Sequence, residues 1–237
     1  MNPDVLSSTL RGDALAVASR WRPGLPAARH AEIFASASEA SGAALALALA
    51  LDNMRSESGA DDCRSILWVQ DKASIRLSGR PYRPGLPPEL RTRVIHVAAR
   101  TAEDALFALE EGLHCRELAC VIGELAGNPK ALGLTASRRL SLAAEKYGVP
   151  LFLVRLDAQR DLSSARMRWD VRSAASPAPR WNAAAPGMPS WRADLFRARL
   201  YQEGEWILRD DGKSLIAGSP DHGGLAAAPG DRSLAAL

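Results

Sequence analysis

Five apolar runs of strand length recur before residue 157: EIFA at 32–35, SILWVQD at 65–71, RVIHVAA at 93–99, LACVIGEL at 118–125 and VPLFLVRL at 149–156. Between them lie segments of helical composition. Parallel neighbours need a crossover connection, and a helix supplies it, so strands alternating with helices predict an α/β fold. Its sheet is expected to be mostly parallel and flanked by helices on both faces.

The crossover segments carry their own signals. In 42–56 leucine alternates with alanine, a period that suits a strand. Alanine and leucine are strong helix formers, however, and no β-branched residue interrupts the run, so a helix buried between layers is expected. TAEDALFALEEGL has Thr101 three residues before Asp104, an approximate capping box, with Gly112 marking the end. SRRLSLAAEKYG is a helix stopped by Gly148.

After residue 160 the pattern changes. ARMRWDVR, 165–172, alternates like a half-exposed strand. WRADLFRARL at 191–200 and GEWILRDD at 204–211 read as a hairpin, so an antiparallel strand group is expected to close the fold. The organisation is an N-terminal helix and linker at 1–29, one domain at 30–211 and a disordered tail at 212–237.

Composition narrows the classes of function. The net charge is +3, which argues only weakly for anionic partners. Three cysteines, Cys63, Cys115 and Cys120, lack framework or zinc spacing and suit a reducing compartment. The apolar run at 43–51 is too short to span a bilayer, and no secretory leader is evident, so a cytoplasmic protein is expected. His30, His96, His114 and His222 are scattered, and no nucleophile sits in a recognisable elbow. No catalytic residue, cofactor or metal site is assigned, although Asp71 and Glu124 end neighbouring strands where a pair of carboxylates can meet.

The run EIFASASEASGAALALALALD, 32–52, has the outline of a strand, a phosphate-cradling loop and a helix. A Walker A loop needs a lysine to neutralise phosphate and a Ser/Thr hydroxyl for magnesium. The register here is Ala37, Ser38, Glu39, Ala40, Ser41, Gly42, Ala43 and Ala44. Only Gly42 survives. Ala43 replaces the lysine, Ala44 replaces the hydroxyl, and Glu39 repels phosphate. A lost charge-assisted contact costs roughly 1.5–3 kcal/mol. The helix dipole, worth roughly 0.3–1 kcal/mol, does not offset that. The loop is expected to keep its topological place without nucleotide binding.

EIF, small residues, SGAALALAL and then SILWVQD resemble the opening of a RecA-type core, and LACVIGEL stands where that core has its Walker B strand. The strand ends in Gly123-Glu124 instead of the aspartate of that family. Taken with LPAARHAEIFA, YRPGL, ARTAEDALFALEEGLHCRELACVIGEL, LTASRRLSLAAEKYGVPLFLVR, ARMRWDV and the final WRADLFRAR and GEW, the order and spacing resemble the ImuA family over about residues 21–210. SulA shares the same degenerate RecA ancestry. The resemblance implies a non-catalytic accessory role in the DNA-damage (SOS) response. The partners it implies are an ImuB-like polymerase-related protein and an error-prone polymerase, with RecA as a further contact. Three other readings stay open: a SulA-like inhibitor of cell division, a nucleotide-dependent RecA paralogue, and a DNA-binding module.

With the loop emptied, function must lie in surfaces. The strand ends favour the loops 126–130 and 157–161. The second holds Arg160 between Asp157 and Asp161, a poor grip for DNA. Candidate partner residues are Arg138 and Arg139 at the start of a helix, Arg160, and Arg192, Arg197 and Arg199 in the terminal strands. The arginines of those strands are expected on one face and Trp169, Trp191 and Trp206 on the other.

Overall fold

A computed structural model describes residues 19–58, 62–179, 181–182 and 185–218. The elements run β1 (Ser19–Arg20), β2 (His30–Ala35), α1 (Ser41–Ser58), β3 (Ser65–Gln70), α2 (Lys72–Ser78), β4 (Val94–Ala98), α3 (Ala102–His114), β5 (Leu118–Ala126), α4 (Leu134–Tyr147), β6 (Leu151–Leu156), β7 (Met167–Ser173), β8 (Ser190–Ala198), β9 (Tyr201–Gln202), β10 (Gly204–Asp210) and β11 (Leu215–Gly218).

Nine strands form one sheet in the order β11-β10-β8-β7-β2-β6-β5-β3-β4. The six from β4 to β7 are mutually parallel, while β8, β10 and β11 add on in antiparallel fashion. The expected α/β architecture is therefore present, with β7 as the junction: parallel to β2 on one side and antiparallel to β8 on the other.

Helix α1 covers one face. Its Leu45, Ala46, Leu49 and Ala50 are buried against Ile33, Ile122, Val154 and Trp169. Helices α3 and α4 cover the other face over Leu67, Val121, Leu151 and Leu153. The ambiguous Ala/Leu run is thus a helix, since only a helix buries so many small side chains between layers. Thr101 caps α3 by accepting the Asp104 N–H at 3.1 Å, and Gly148 ends α4 in the left-handed conformation, φ 75°.

Four readings are corrected. Gly112 lies inside α3, where an added Cβ would come within 2.3 Å of Leu67 Cδ2; it permits close helix–sheet contact and the helix runs on to His114. The short helix α2, capped by Asp71, was not foreseen. The segment 21–29 is more than a linker, because Trp21 is fully buried with ring centroids 5.0 Å from Trp169 and 5.9 Å from Trp206. Order does not stop at 211, since β11 pairs with β10 and buries Leu215. The remainder of the expected tail, and the expected helix up to residue 18, lie outside the described residues.

Candidate functional site

The loop between β2 and α1 stands at the carboxyl edge of the parallel strands, as its sequence position requires. β2 points Ala31 and Ile33 into the α1 side of the core. α1 then leaves at Gly42, where an added Cβ would meet Ala35 Cβ at 2.7 Å and Val154 Cγ1 at 2.9 Å. The surviving glycine therefore has a packing reason, whatever the loop binds.

The loop's polar groups are engaged by the chain itself. Ala37 N–H donates to Asp157 Oδ1 at 3.0 Å, and the Ser36 hydroxyl donates to the same oxygen at 3.3 Å. Ser38 N–H donates to Ser36 Oγ at 3.2 Å. Asp157 follows β6 in a left-handed conformation, φ 49°, and its own N–H donates to Ala35 O at 3.0 Å. Glu39 accepts the N–H of Ser173 at 3.0 Å and also its hydroxyl. Hydrogen bonding from Ser173 holds the Glu39 carboxyl below its ordinary range. Two carboxylates thus occupy the surroundings of a loop that, in a nucleotide site, would face a phosphate.

Ala40 heads α1 through its carbonyl, which accepts Ala44 N–H at 3.0 Å, and Ser41 is buried. Ala43 and Ala44 present methyl groups to a cleft of about 300 Å³ that also meets Leu47, Trp68, Tyr82 and Glu124. Glu124 is 2% exposed. Its carboxylate accepts from Trp68 Nε1 at 2.6 Å and from the Ser78 hydroxyl at 3.1 Å. Burial pushes its pKa up, against those hydrogen bonds. Asp71 is committed elsewhere, capping α2 through Ser74 N–H at 2.7 Å. Asp71 and Glu124 thus have separate hydrogen-bond partners, and no cluster of three or more metal-ligating side chains occurs among the described residues.

Below the loop, on the face of β2 opposite α1, lies a buried ionic group that the sequence reading missed. Glu32 is 0% exposed, Arg155 1% and Arg168 4%. Arg168 Nε donates to Glu32 Oε2 at 2.7 Å, and Ser163 Oγ donates to Oε1 at 2.7 Å. Arg155 reaches Asp161 at 3.2 Å and the Gly127 carbonyl at 3.2 Å. Both guanidinium groups also lie against Phe34. A charged residue within or at the head of an apolar run was the available signal, at Glu32 in EIFA and Arg155 in LFLVRL. Beside this group His30 is buried, with Nδ1 2.8 Å from Ser141 Oγ, and burial lowers its pKa to about 3.

The two loops expected to face a ligand are stitched to each other. Asn128 Nδ2 donates to Gln159 O at 2.9 Å and to Asp161 at 2.8 Å, and Gln159 N–H returns to Asn128 Oδ1 at 2.7 Å. Arg160 folds back over the Phe196 ring, 3.8 Å from its centroid, and pairs with Asp170 at 2.7 Å.

The other candidate arginines occupy separate places. Arg139 pairs with Glu110 of α3, while Arg138 is exposed on α4. Arg192 pairs with Glu205 at 3.0 Å and shares a cleft of about 410 Å³ with Arg160, Asp170 and Asp194. Arg197 and Arg199 border another cleft with Arg166. Trp169, Trp191 and Trp206 are buried on the α1 side; strand alternation separates Arg192 from them, and Arg197 is set apart by the register shift between β7 and β8 that pairs it with Arg168. No described helix is long and apolar enough to cross a membrane.

No family model matches the chain. It is similar to the curated proteins named Protein ImuA from Caulobacter vibrioides strain NA1000 / CB15N and strain ATCC 19089 / CIP 103742 / CB 15. Each is 32% identical over 155 residues, covering 61% of this chain and 60% of the relative. The match thus spans about 60% of the curated relatives' length, and it supports a relationship between this chain and the ImuA proteins.

Proposed function

We propose that this chain is an ImuA-type accessory protein of DNA-damage-induced mutagenesis, built on a degenerate RecA-like core and acting through contacts with other macromolecules. The observation that carries the non-catalytic part is the loop at 37–44. Asp157 accepts from the Ala37 N–H and the Ser36 hydroxyl, while alanine stands at both the cation and the metal-hydroxyl positions. A triphosphate arriving there meets repulsion from Asp157 and Glu39, and finds only methyl groups where charge neutralisation is needed.

The placement of β2 inside a parallel sheet, with its loop leading into α1 at the carboxyl edge, supports the RecA-like reading. The similarity to Protein ImuA supports the biological setting. In that setting the chain works in the cytoplasm beside an ImuB-like polymerase-related protein and an error-prone polymerase, with RecA as a further contact.

The test has two arms. Calorimetry with magnesium-ATP on the purified chain is expected to show no saturable heat; tight metal-dependent uptake would favour a nucleotide-dependent paralogue. Affinity purification from DNA-damaged cells is expected to recover the ImuB-like protein. Filamentation on overproduction without damage, and no such partner, would favour a SulA-like inhibitor.

A further inference from the structure

The parallel sheet ends on β4, and among the described residues no strand pairs with its outer edge. Backbone alternation decides which groups face out. Ile66 N–H donates to Arg93 O, and Ala99 N–H donates to Gln70 O, so residues of that parity bond to β3. The N–H and C=O groups of Val94, His96 and Ala98 therefore point away from the sheet. The Val94 carbonyl accepts from Arg83 at 3.2 Å.

Natural edges are usually blunted by a charge, a proline or a bulge. β4 reads VIHVA, without proline or a Lys, Arg, Asp or Glu side chain, and Ile95 is 49% exposed. It is unprotected in sequence and, beyond the buried Val94, exposed at Ile95 and Ala98.

The segments that flank it in sequence are basic. Residues 71–100 hold seven cations (Lys72, Arg76, Arg80, Arg83, Arg91, Arg93 and Arg100) against Asp71 and Glu89, a net of +5, whereas the whole chain has +3. Arg91 and Arg93 lead directly into β4, and Arg100 follows it. The guanidinium groups of Arg83, Arg91 and Arg93 donate to main-chain carbonyls. Arg80 and Arg100 are exposed. Hydrogen bonds to carbonyls leave the positive charge of a guanidinium uncompensated. A second copy of this chain would bring the same arginines against themselves, so like-charge repulsion disfavours a symmetric edge-to-edge dimer.

We propose that the outer edge of β4 takes up an extended, acidic segment of another protein as an added strand. Main-chain hydrogen bonds to His96 and Ala98 would supply the affinity, and carboxylates meeting the surrounding arginines the selectivity. The inference rests on this edge and its charge, independently of what the loop at 37–44 binds.

The probe is a short labelled peptide of alternating glutamate and valine, read by fluorescence anisotropy. Controls are the lysine–valine counterpart and a single-stranded oligothymidylate. The acidic peptide is expected to bind, with affinity that falls as salt rises. Ala98→Pro removes an outward N–H and spares the bonds to β3, and is expected to weaken binding about tenfold or more. Arg80→Glu with Arg100→Glu is expected to weaken it to a similar degree. Should Ala98→Pro fail to melt cooperatively, hydrogen exchange on the unmodified chain decides, with the His96 and Ala98 amides slowed by the peptide. Overturning results are no peptide binding, unchanged exchange at those amides, or a folded Ala98→Pro that binds as before. Preference for oligothymidylate would also overturn it, marking a polyanion surface instead.

Discussion

Strand β2 meets charge in two places, and treats it in opposite ways. Midway along, Glu32 is sealed in the interior with Arg168 and Arg155. At its carboxyl end, where phosphate chemistry would need a cation, Ala43 and Ala44 supply methyl groups. Burying charge carries a large desolvation cost, and removing one partner leaves the other uncompensated. The loop, by contrast, is partly exposed and satisfied by hydrogen bonds to Asp157 and within itself. The difference teaches that removing one partner of the interior group strands a buried charge, while the loop, its packed Gly42 apart, can change at a smaller cost.

Substitutions can strain this contrast. The largest effect is expected from Glu32→Ala, which leaves two buried arginines short of a carboxylate and should cost about 3–5 kcal/mol in urea unfolding. A loss below about 1 kcal/mol would erase the contrast. Gly42→Ala comes next, because its methyl group meets Ala35 and Val154; about 1–3 kcal/mol is expected in the same assay.

The pH dependence sharpens the interior side. Unfolded, the His30 imidazole takes its proton near 6.5, but in the folded protein only near 3, chiefly because it is buried. The unfolded chain then binds more protons between those values, so stability from this group is lost as pH falls from 6.5 toward 3. His30→Gln is expected to flatten that part of the stability–pH curve, measured by thermal melts across the range.

The smallest effects belong to the loop. Asp157→Ala should cost about 0.5–1.5 kcal/mol, the usual net worth of a hydrogen bond. Restoring Ala43→Lys and Ala44→Ser is expected to give no magnesium-ATP binding by calorimetry while Asp157 and Glu39 remain. Binding restored by those two changes alone would show that the missing cation and hydroxyl, and nothing in the loop's own contacts, silence the site.

Much of the architecture was legible because period and length survive in a single sequence. Apolar runs bounded by breakers placed five strands, and Thr101 and Gly148 marked helix ends through local chemistry. What escaped depends on long-range pairing. Trp21 looks like part of a proline-rich linker until Trp169 and Trp206 arrive beside it. Leu215 sits in a polar, glycine-containing stretch, and only the neighbouring β10 makes it a strand. At the loop, the missing lysine and hydroxyl could be read directly. Asp157 could not, since it reaches Ala37 from the far end of β6.

Trp21 has a consequence for how the molecule is made. It is the first buried side chain of the described fold, and it packs edge-on against Trp206 in one of the last strands. Synthesis runs from the amino end, so Trp21 can meet Trp169 early but lacks its Trp206 neighbour until β10 has left the ribosome. A shortened gene product ending before β10 would leave the Trp21 and Trp169 rings without the cover of Trp206, an apolar surface of the kind that chaperones and proteases take hold of.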